Sequence, residues 1–159
     1  MTKIYLDTCI FVADYSGLET DRTHKTNIAS AFNVFSNLKN IELLTSMWSM
    51  TELVRVLTNT IHMDAAKVAE IEQGLLNERR FHGLKFKFVD VSPDSTYDFG
   101  EFFYNIRRGV LTNKSGVPDT IHAVIMKNND IDHILTTDID GFRDIPGLKV
   151  LHPKDVKLF

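Results

Sequence analysis

Four acidic residues occupy positions from which their carboxylates could act together. Two interrupt or follow apolar runs, and two lie in the early turns of predicted helices: Asp7, Asp138, Glu52 and Asp119. In a parallel α/β sheet, all such positions meet at the edge formed by the carboxyl ends of the strands. Carboxylates crowded there repel one another, and protonation or bound cations would relieve the repulsion. Oxygen ligands without thiolate or imidazole favour Mg²⁺ or Mn²⁺, and such a site could hydrolyse a phosphodiester.

Asp7 gives the clearest indication of chemistry, because of the sequence around it. The run from Lys3 to Val12 is almost entirely apolar and is typical of a strand buried on both faces of a parallel sheet. An unpaired carboxylate buried in such a strand costs on the order of several kcal/mol. We therefore expect either that other groups offset this cost or that Asp7 lies where the strand opens into a cleft. Helix propensity alone would also explain Glu52, so its functional interpretation depends on the other acids.

The composition is that of an ordinary globular protein and excludes few functions. The 159 residues favour one domain over 1–159, with 43% hydrophobic and 25% charged residues. The formal net charge of -3 does not indicate nucleic-acid binding, although basic residues around an acidic site would be compatible with it. A single cysteine, no recognisable leader and no apolar stretch of about 20 residues favour a cytoplasmic protein with no membrane partner.

Strands and helices alternate along the chain, which predicts an α/β fold. The expected architecture is a three-layer α/β/α sandwich with a mostly parallel central sheet. Residues 84–91 alternate in a way typical of an edge strand, Ser92-Pro93 is a typical helix start, and Arg107-Arg108-Gly109 is a typical helix end. The predicted strands cover 3–12, 41–45, 84–91, 133–137 and 148–151, with a loop over 13–22. The predicted helices cover 24–38, a segment capped by Thr45 or Ser46, a segment capped by Asp64, 92–109 and 117–128.

Four short motifs, taken together and in order, resemble those of the PIN domain family. The resemblance is greatest to the VapC-type toxins of prokaryotic toxin–antitoxin operons, and it runs from Lys3 to about His152. The motifs are Ile4-Tyr5-Leu6-Asp7-Thr8, Ser49-Met50-Thr51-Glu52-Leu53, Pro118-Asp119-Thr120-Ile121-His122-Ala123 and Leu135-Thr136-Thr137-Asp138-Ile139-Asp140-Gly141-Phe142.

This resemblance implies a metal-dependent endoribonuclease that leaves a 5′-phosphate and a 3′-hydroxyl. Thr8 and Thr136 match the family's hydroxyl positions, which would orient the acids by hydrogen bonds. The family also implies an RNA substrate, a cognate antitoxin protein and a homodimer. The ligands that it implies for Mg²⁺ or Mn²⁺ are Asp7, Glu52, Asp119 and Asp138.

Two assignments stay open at this point. The family usually places Phe directly after its last acid, whereas here Gly141 separates Asp140 from Phe142. Asp140 therefore either joins Asp138 at the metal or faces solvent. Three basic residues shortly before the Pro118 motif could contact RNA phosphates or could be ordinary helix-end and turn charges: Arg107, Arg108 and Lys114.

Several other noticeable residues are expected to be structural. His122 lies one turn after Asp119, where a histidine is more often a satisfied structural side chain than a catalytic one. The remaining histidines show no ligand spacing. Cys9 is expected to be a small buried apolar residue and not a nucleophile. The aromatic stripe of the 92–109 helix is expected to belong to the core and not to a base-stacking surface.

Three other functions are alternatives to the nuclease. A haloacid-dehalogenase-like phosphatase would need a second Asp at position 9, which is Cys9. A receiver domain would need an acidic pair at the end of the first strand. A non-catalytic PIN-like scaffold that binds RNA or protein stays as the alternative, although the presence of all four acids speaks against it.

Overall fold

The computed structural model describes residues 1–94, 96–113 and 115–158. Within these ranges, six strands form one sheet with the order β3-β4-β2-β1-β5-β6. All neighbouring strands are parallel except β3 and β4, which are antiparallel. The mostly parallel sheet predicted from the sequence is therefore confirmed. The strands are β1 (Thr2–Leu6), β2 (Ile41–Ser46), β3 (Arg80–Phe81), β4 (Leu84–Val89), β5 (His133–Leu135) and β6 (Lys149–Leu151).

Helices cover both faces of the sheet, because side chains alternate in direction along each strand. Ile4 and Leu6 of β1 belong to a core formed with the first four helices. Tyr5 belongs to a second core, formed with the fifth and sixth helices. The helices are α1 (Thr8–Tyr15), α2 (Arg22–Ser36), α3 (Met47–Asn59), α4 (Ala65–Glu78), α5 (Phe99–Asn113), α6 (Val117–Asn128) and α7 (Ile139–Phe142), with short 3-10 helices over Glu19–Asp21 and Pro153–Leu158. This confirms the three-layer sandwich.

Two capped helix starts follow the sequence prediction closely. Ser46 caps α3, and the Asp64 carboxylate caps α4 by accepting hydrogen bonds from the backbone of Ala66 and Lys67. None of the helices in the described ranges combines the length and the apolar character that crossing a bilayer would need.

The prediction of one strand over 3–12 is wrong. The strand β1 ends at Leu6, and α1 begins at Thr8 because Asp7 caps it: the Asp7 Oδ1 accepts a hydrogen bond of 2.7 Å from the backbone N–H of Thr8. The predicted loop over 13–22 therefore overlaps the end of a helix. The helix was missed because it is buried or partly buried throughout, so its apolar residues show no helical periodicity.

The predicted bounds of α5 are also wrong at both ends. Ser92-Pro93 does not start a helix; the Asp98 carboxylate accepts a hydrogen bond of 2.9 Å from the Gly100 N–H, and α5 begins at Phe99. The helix also continues past Gly109 to Asn113. Gly109 lies against α6, where an added Cβ would be 2.6 Å from Thr120 Cγ2. This glycine therefore permits a close helix contact and does not end the helix.

The aromatic stripe of α5 divides between core and surface. Phe102 and Ile106 are buried, as predicted. Phe99 and Phe103, which belong to the same predicted stripe, are 68% and 55% exposed. The expectation that the whole stripe belongs to the core is therefore wrong, because the aromatic residues occupy more than one side of the helix.

The strand predicted over 84–91 is shorter and is not at the edge. This strand, β4, ends at Val89. The strand β3 pairs with the outer side of β4, and a two-residue turn at His82 and Gly83 connects the two. Both turn residues have positive φ, 46° and 80°, as the tightest hairpins require. The two-residue β3 is too short to give a periodic signal, so the sequence did not reveal it.

The Gly109 contact leads to a test of the α5–α6 packing. Gly109→Ala should lower the free energy of unfolding by about 1–3 kcal/mol, because the added methyl overpacks against Thr120. Thermal or urea unfolding measures the change. Gly74→Ala in the middle of α4 is the matched control, because no atom lies within 4 Å of its added Cβ. This control should gain about 0.5–1 kcal/mol from helix propensity.

A second substitution separates overpacking from other effects. Thr120→Ser removes Cγ2 but keeps the hydroxyl that donates 2.9 Å to the Gly116 carbonyl. Added to Gly109→Ala, it should restore most of the lost stability. If the double variant were no more stable than Gly109→Ala alone, the close contact would not be the cause.

Candidate active site

The four acids lie at the edge formed by the carboxyl ends of the parallel strands. Asp7 follows β1, and Asp138 follows β5 and caps α7. Glu52 lies in α3, which begins directly after β2. Asp119 lies in the first turn of α6. Because β1 pairs with β2 on one side and β5 on the other, these segments leave the sheet side by side.

Asp7 is 5% exposed, and its carboxylate is held by three donors. The Oδ1 atom accepts from the Thr8 backbone N–H at 2.7 Å. The Oδ2 atom accepts from the Thr136 hydroxyl at 2.7 Å and from the Cys9 thiol at 2.9 Å. These bonds offset the cost of burying the carboxylate and fix its orientation.

Cys9 is a polar member of this arrangement, so the expectation of a purely apolar role is wrong. Its Sγ accepts a hydrogen bond of 3.1 Å from the Thr137 N–H while its thiol donates to Asp7. Burial raises the pKa of the Cys9 thiol well above its usual value, and the nearby Asp7 charge adds to this. The residue is therefore a protonated donor, which agrees with the expectation that it is not a nucleophile.

Glu52 is 8% exposed, and one of its oxygens receives two hydrogen bonds. The Oε2 atom accepts from Thr8 Oγ1 at 2.9 Å and from His122 Nε2 at 2.7 Å. Burial raises the pKa of Glu52. The bonds from His122 and Thr8 and the charge of Arg55 lower the pKa by more than burial raises it. The net pKa lies below the usual value, so Glu52 is ionised at neutral pH.

The sequence predicts that His122 is a satisfied structural side chain. Both of its ring nitrogens do have partners, and these partners place His122 next to the acids. It is 1% exposed and lies between Glu52 and the Tyr5 hydroxyl, which is 2.9 Å from Nδ1. Its Nε2 is also 3.6 Å from Asp7 Oδ1. The signal available in the sequence was the three-residue spacing from Asp119, which puts both residues on one side of α6.

Asp119 and Asp138 face each other across Gly141. A Cβ added to Gly141 would be 2.9 Å from Asp119 Oδ2 and 3.2 Å from Asp138 Oδ2, so only glycine leaves both carboxylates room. The pKa of Asp119 is raised to about 6, first by burial and then by the charges of Asp7, Asp138 and Glu52. The crowding of negative charge expected from the sequence is therefore present at Asp119.

The donor chemistry of this edge fits a hard divalent cation. Its charged groups are carboxylates, and the space at Gly141 lies between two of them. Within the described ranges, no three His, Cys, Asp or Glu side chains are already arranged as a metal-ligand group. The acids are thus neighbours, and their excess negative charge is what favours a cation.

The remaining residues predicted to belong to the site are not among the four acids and their hydrogen-bond partners. Asp140 is exposed and forms an ion pair with Arg143 on the solvent side of α7. Arg107 and Arg108 are exposed on α5. They directly precede Gly109, which lies against Thr120, the residue after Asp119. Lys114 lies outside the described residues. The sequence interpretation also missed Arg55, an exposed base one turn after Glu52 whose charge acts on that carboxylate.

Comparisons with known proteins agree on the fold. The PIN domain family model matches residues 4–148. A comparison with curated protein sequences finds no match. The chain is similar to VapBC2 of Rickettsia felis, solved bound to a DNA fragment from its promoter, with 17% identity, a TM-score of 0.57, and coverage of 95% of this chain and 98% of that one.

Two further solved structures show the same fold. DNA-bound VapBC of Salmonella typhimurium has 16% identity and a TM-score of 0.57, covering 96% of this chain and 99% of that one. The Mycobacterium tuberculosis toxin VapC20, described as cleaving the sarcin-ricin loop, has 12% identity and a TM-score of 0.54, covering 86% and 91%. At such identities the structures establish similarity of fold.

The raised pKa of Asp119 predicts a pH-dependent gain in stability for Asp119→Asn. Between about pH 4 and 6 the folded protein keeps a proton that the unfolded chain has lost, so wild-type stability falls as the pH rises through this range. In metal-free buffer at pH 8, Asp119→Asn should gain on the order of 1 kcal/mol, a value reduced because the side chain is partly exposed. The gain should vanish below about pH 4. Urea unfolding at both pH values measures it.

The control for this prediction removes an unrelated carboxylate. Asp155 is exposed in the C-terminal 3-10 helix, and Asp155→Asn should give no comparable gain at pH 8. An Asp119→Asn protein with equal stability to wild type at pH 8 would contradict the crowding of charge at this edge.

Proposed function

Because this chain belongs to the PIN domain family, we propose that it is a metal-dependent endoribonuclease and the toxin of a toxin–antitoxin pair. The observation that carries the proposal is the charge crowding at the carboxyl edge of the sheet. There the pKa of Asp119 is raised by burial and by Asp7 and Asp138. A site that accumulates negative charge in this way gains most from a bound cation. The similarity in fold to VapC20, which is described as a toxin that cleaves the sarcin-ricin loop, supports the choice of substrate.

The four acids would hold Mg²⁺ or Mn²⁺: Asp7, Glu52, Asp119 and Asp138. A divalent cation at this edge would lower the pKa of a bound water and stabilise the oxygen that leaves phosphorus. In the proposed hydrolysis the water oxygen forms a bond to phosphorus while the bond to the 3′-oxygen breaks. The 3′-oxygen takes a proton, so the products are a 3′-hydroxyl and a 5′-phosphate.

The surrounding residues would orient the acids and the substrate. Thr136 and Cys9 hold one oxygen of Asp7, and Thr8 holds one oxygen of Glu52. The glycine at position 141 keeps open the space between the last two acids. Three exposed arginines would bind RNA phosphates by charge: Arg55, one turn after Glu52, and Arg107 and Arg108 on α5.

A protein partner is the second part of the proposal. Two of the structures similar in fold are VapBC complexes, which supports a cognate antitoxin for this chain. The exposed apolar side chains of α5, which include Phe99, Phe103 and Leu111, offer surface for contacts with an antitoxin or with a second copy in a homodimer.

The experiment that tests the nuclease is cleavage of a mixed RNA pool by the purified protein. Cleavage should need Mg²⁺ or Mn²⁺ and should fall at least about 100-fold in Asp7→Asn, because that change removes a charged ligand. Asp155→Asn should cleave like wild type. Metal-independent cleavage, or equal cleavage by Asp7→Asn, would contradict the proposed site. If no RNA is cleaved and the metal does not raise the melting temperature, the scaffold alternative is favoured.

A second experiment decides between two neighbouring acids. Asp138 lies beside Asp119, whereas Asp140 pairs with Arg143 in solvent. Asp138→Asn should abolish metal-dependent cleavage. Asp140→Asn should keep it, because an exposed ion pair contributes little to stability or to the site. The reverse result would assign the metal ligand to Asp140.

A further inference from the structure

We propose that His122 is a positioning residue that fixes the Glu52 carboxylate, as the last member of a buried hydrogen-bonded chain from Ser46 and Ser49 through Tyr5. The inference rests on the proposed function, because Glu52 is there a metal ligand. It adds a residue that touches neither metal nor substrate. Its role is to determine which oxygen of Glu52 a cation can reach.

The chain crosses the interior between four elements. Tyr5 of β1 has no exposed surface, and its hydroxyl lies 2.5 Å from Ser46 Oγ and 3.1 Å from Ser49 Oγ. On its other side the same hydroxyl lies 2.9 Å from His122 Nδ1. His122 then reaches Glu52 at 2.7 Å. One carboxylate is thus linked to the end of β2, the start of α3, β1 and α6.

The direction of the last bond follows from the chemistry of its acceptor. An ionised carboxylate can only accept, so His122 Nε2 carries the hydrogen in its bond to Glu52 Oε2. Thr8 Oγ1 donates to the same oxygen at 2.9 Å. Two donors fill the two lone pairs of Oε2. A cation can therefore approach Glu52 only through Oε1.

The first part of the chain selects this arrangement of His122. The Tyr5 side chain has no exposed surface, and its hydroxyl lies 2.9 Å from Nδ1, to which it can donate its hydrogen. The hydroxyls of Ser46 and Ser49 can then donate to the Tyr5 oxygen. A histidine that accepts at Nδ1 carries its hydrogen on Nε2, which is the atom that faces Glu52.

His122 is unsuited to be a metal ligand itself. Both of its ring nitrogens are engaged, Nδ1 by Tyr5 and Nε2 by Glu52. The ring is 1% exposed, so it offers no free nitrogen at the edge of the sheet. Outer residues of this kind hold ligands in place, and their loss costs about 10–100-fold in metal affinity or activity.

Three substitutions of His122 distinguish positioning from packing. The Gln amide nitrogen can reach the place of Nε2, whereas the shorter Asn reaches only the place of Nδ1 and Leu reaches neither. Mn²⁺ affinity by calorimetry and RNA cleavage are measured well below the melting temperature of each variant. His122→Gln should stay close to wild type. His122→Asn and His122→Leu should lose about 10–100-fold in Mn²⁺ affinity and kcat, with KM for RNA unchanged.

A nitrogen-15 NMR spectrum of the metal-free protein adds a readout that does not depend on activity. Wild-type His122 should show its hydrogen on Nε2. Tyr5→Phe keeps the aromatic packing but removes the donor to Nδ1, and should weaken this preference together with Mn²⁺ affinity. A wild-type ring with its hydrogen on Nδ1 alone would overturn the inference.

The outcomes separate this inference from the proposed function. If wild type binds Mn²⁺ and cleaves RNA, but His122→Leu and His122→Asn do so equally well, only the positioning role is wrong. If His122→Gln is as damaged as His122→Leu, the residue acts through packing and the inference also fails. If wild type neither binds Mn²⁺ nor cleaves RNA, the proposed function itself is overturned, and this inference with it.

Discussion

The removal of carboxylates from water is the constraint on which the rest of this structure depends. Asp7 and Glu52 are 5% and 8% exposed, and each would cost several kcal/mol if left without donors. The donors come from three different parts of the chain: Thr8 in α1, Thr136 after β5 and His122 in α6. These parts meet only because β1 lies between β2 and β5. The sheet order and the acidic edge therefore stabilise each other.

The register of β1 is fixed by polar contacts as well as by the two cores. Ile4 and Leu6 enter one core, and Tyr5 enters the other. A shift by one residue would exchange the faces and would leave Ser46 and His122 without the Tyr5 hydroxyl. A buried polar group that loses its partner costs about 1–3 kcal/mol. The hydrogen-bonded chain thus adds specificity to an apolar strand whose packing alone would distinguish registers less sharply.

Sequence reasoning succeeded where local context determines the outcome. Strand ends and capped helix starts placed the four acids at one edge, and the alternation of elements gave the parallel sheet. It failed where periodicity carries no information, as in α1, which is apolar on every side. It also failed where two capping signals compete: Asp98, and not Ser92-Pro93, precedes the first turn of α5. Gly109 resembled a helix end because the sequence does not reveal that Thr120 packs against it.

The roles of Cys9 and His122 could not be predicted, because each depends on a side chain brought close only by the fold. The same reason explains why Asp119 differs from the other acids. Its place in the first turn of α6 favours negative charge, yet burial and the neighbouring acids raise its pKa to about 6. Among the described residues, no donor hydrogen-bonds to its carboxylate, whereas Asp7 has three. Among the described residues, the groups around Asp119 therefore stabilise its negative charge less than those around Asp7 stabilise the Asp7 charge. A bound cation would stabilise Asp119 most.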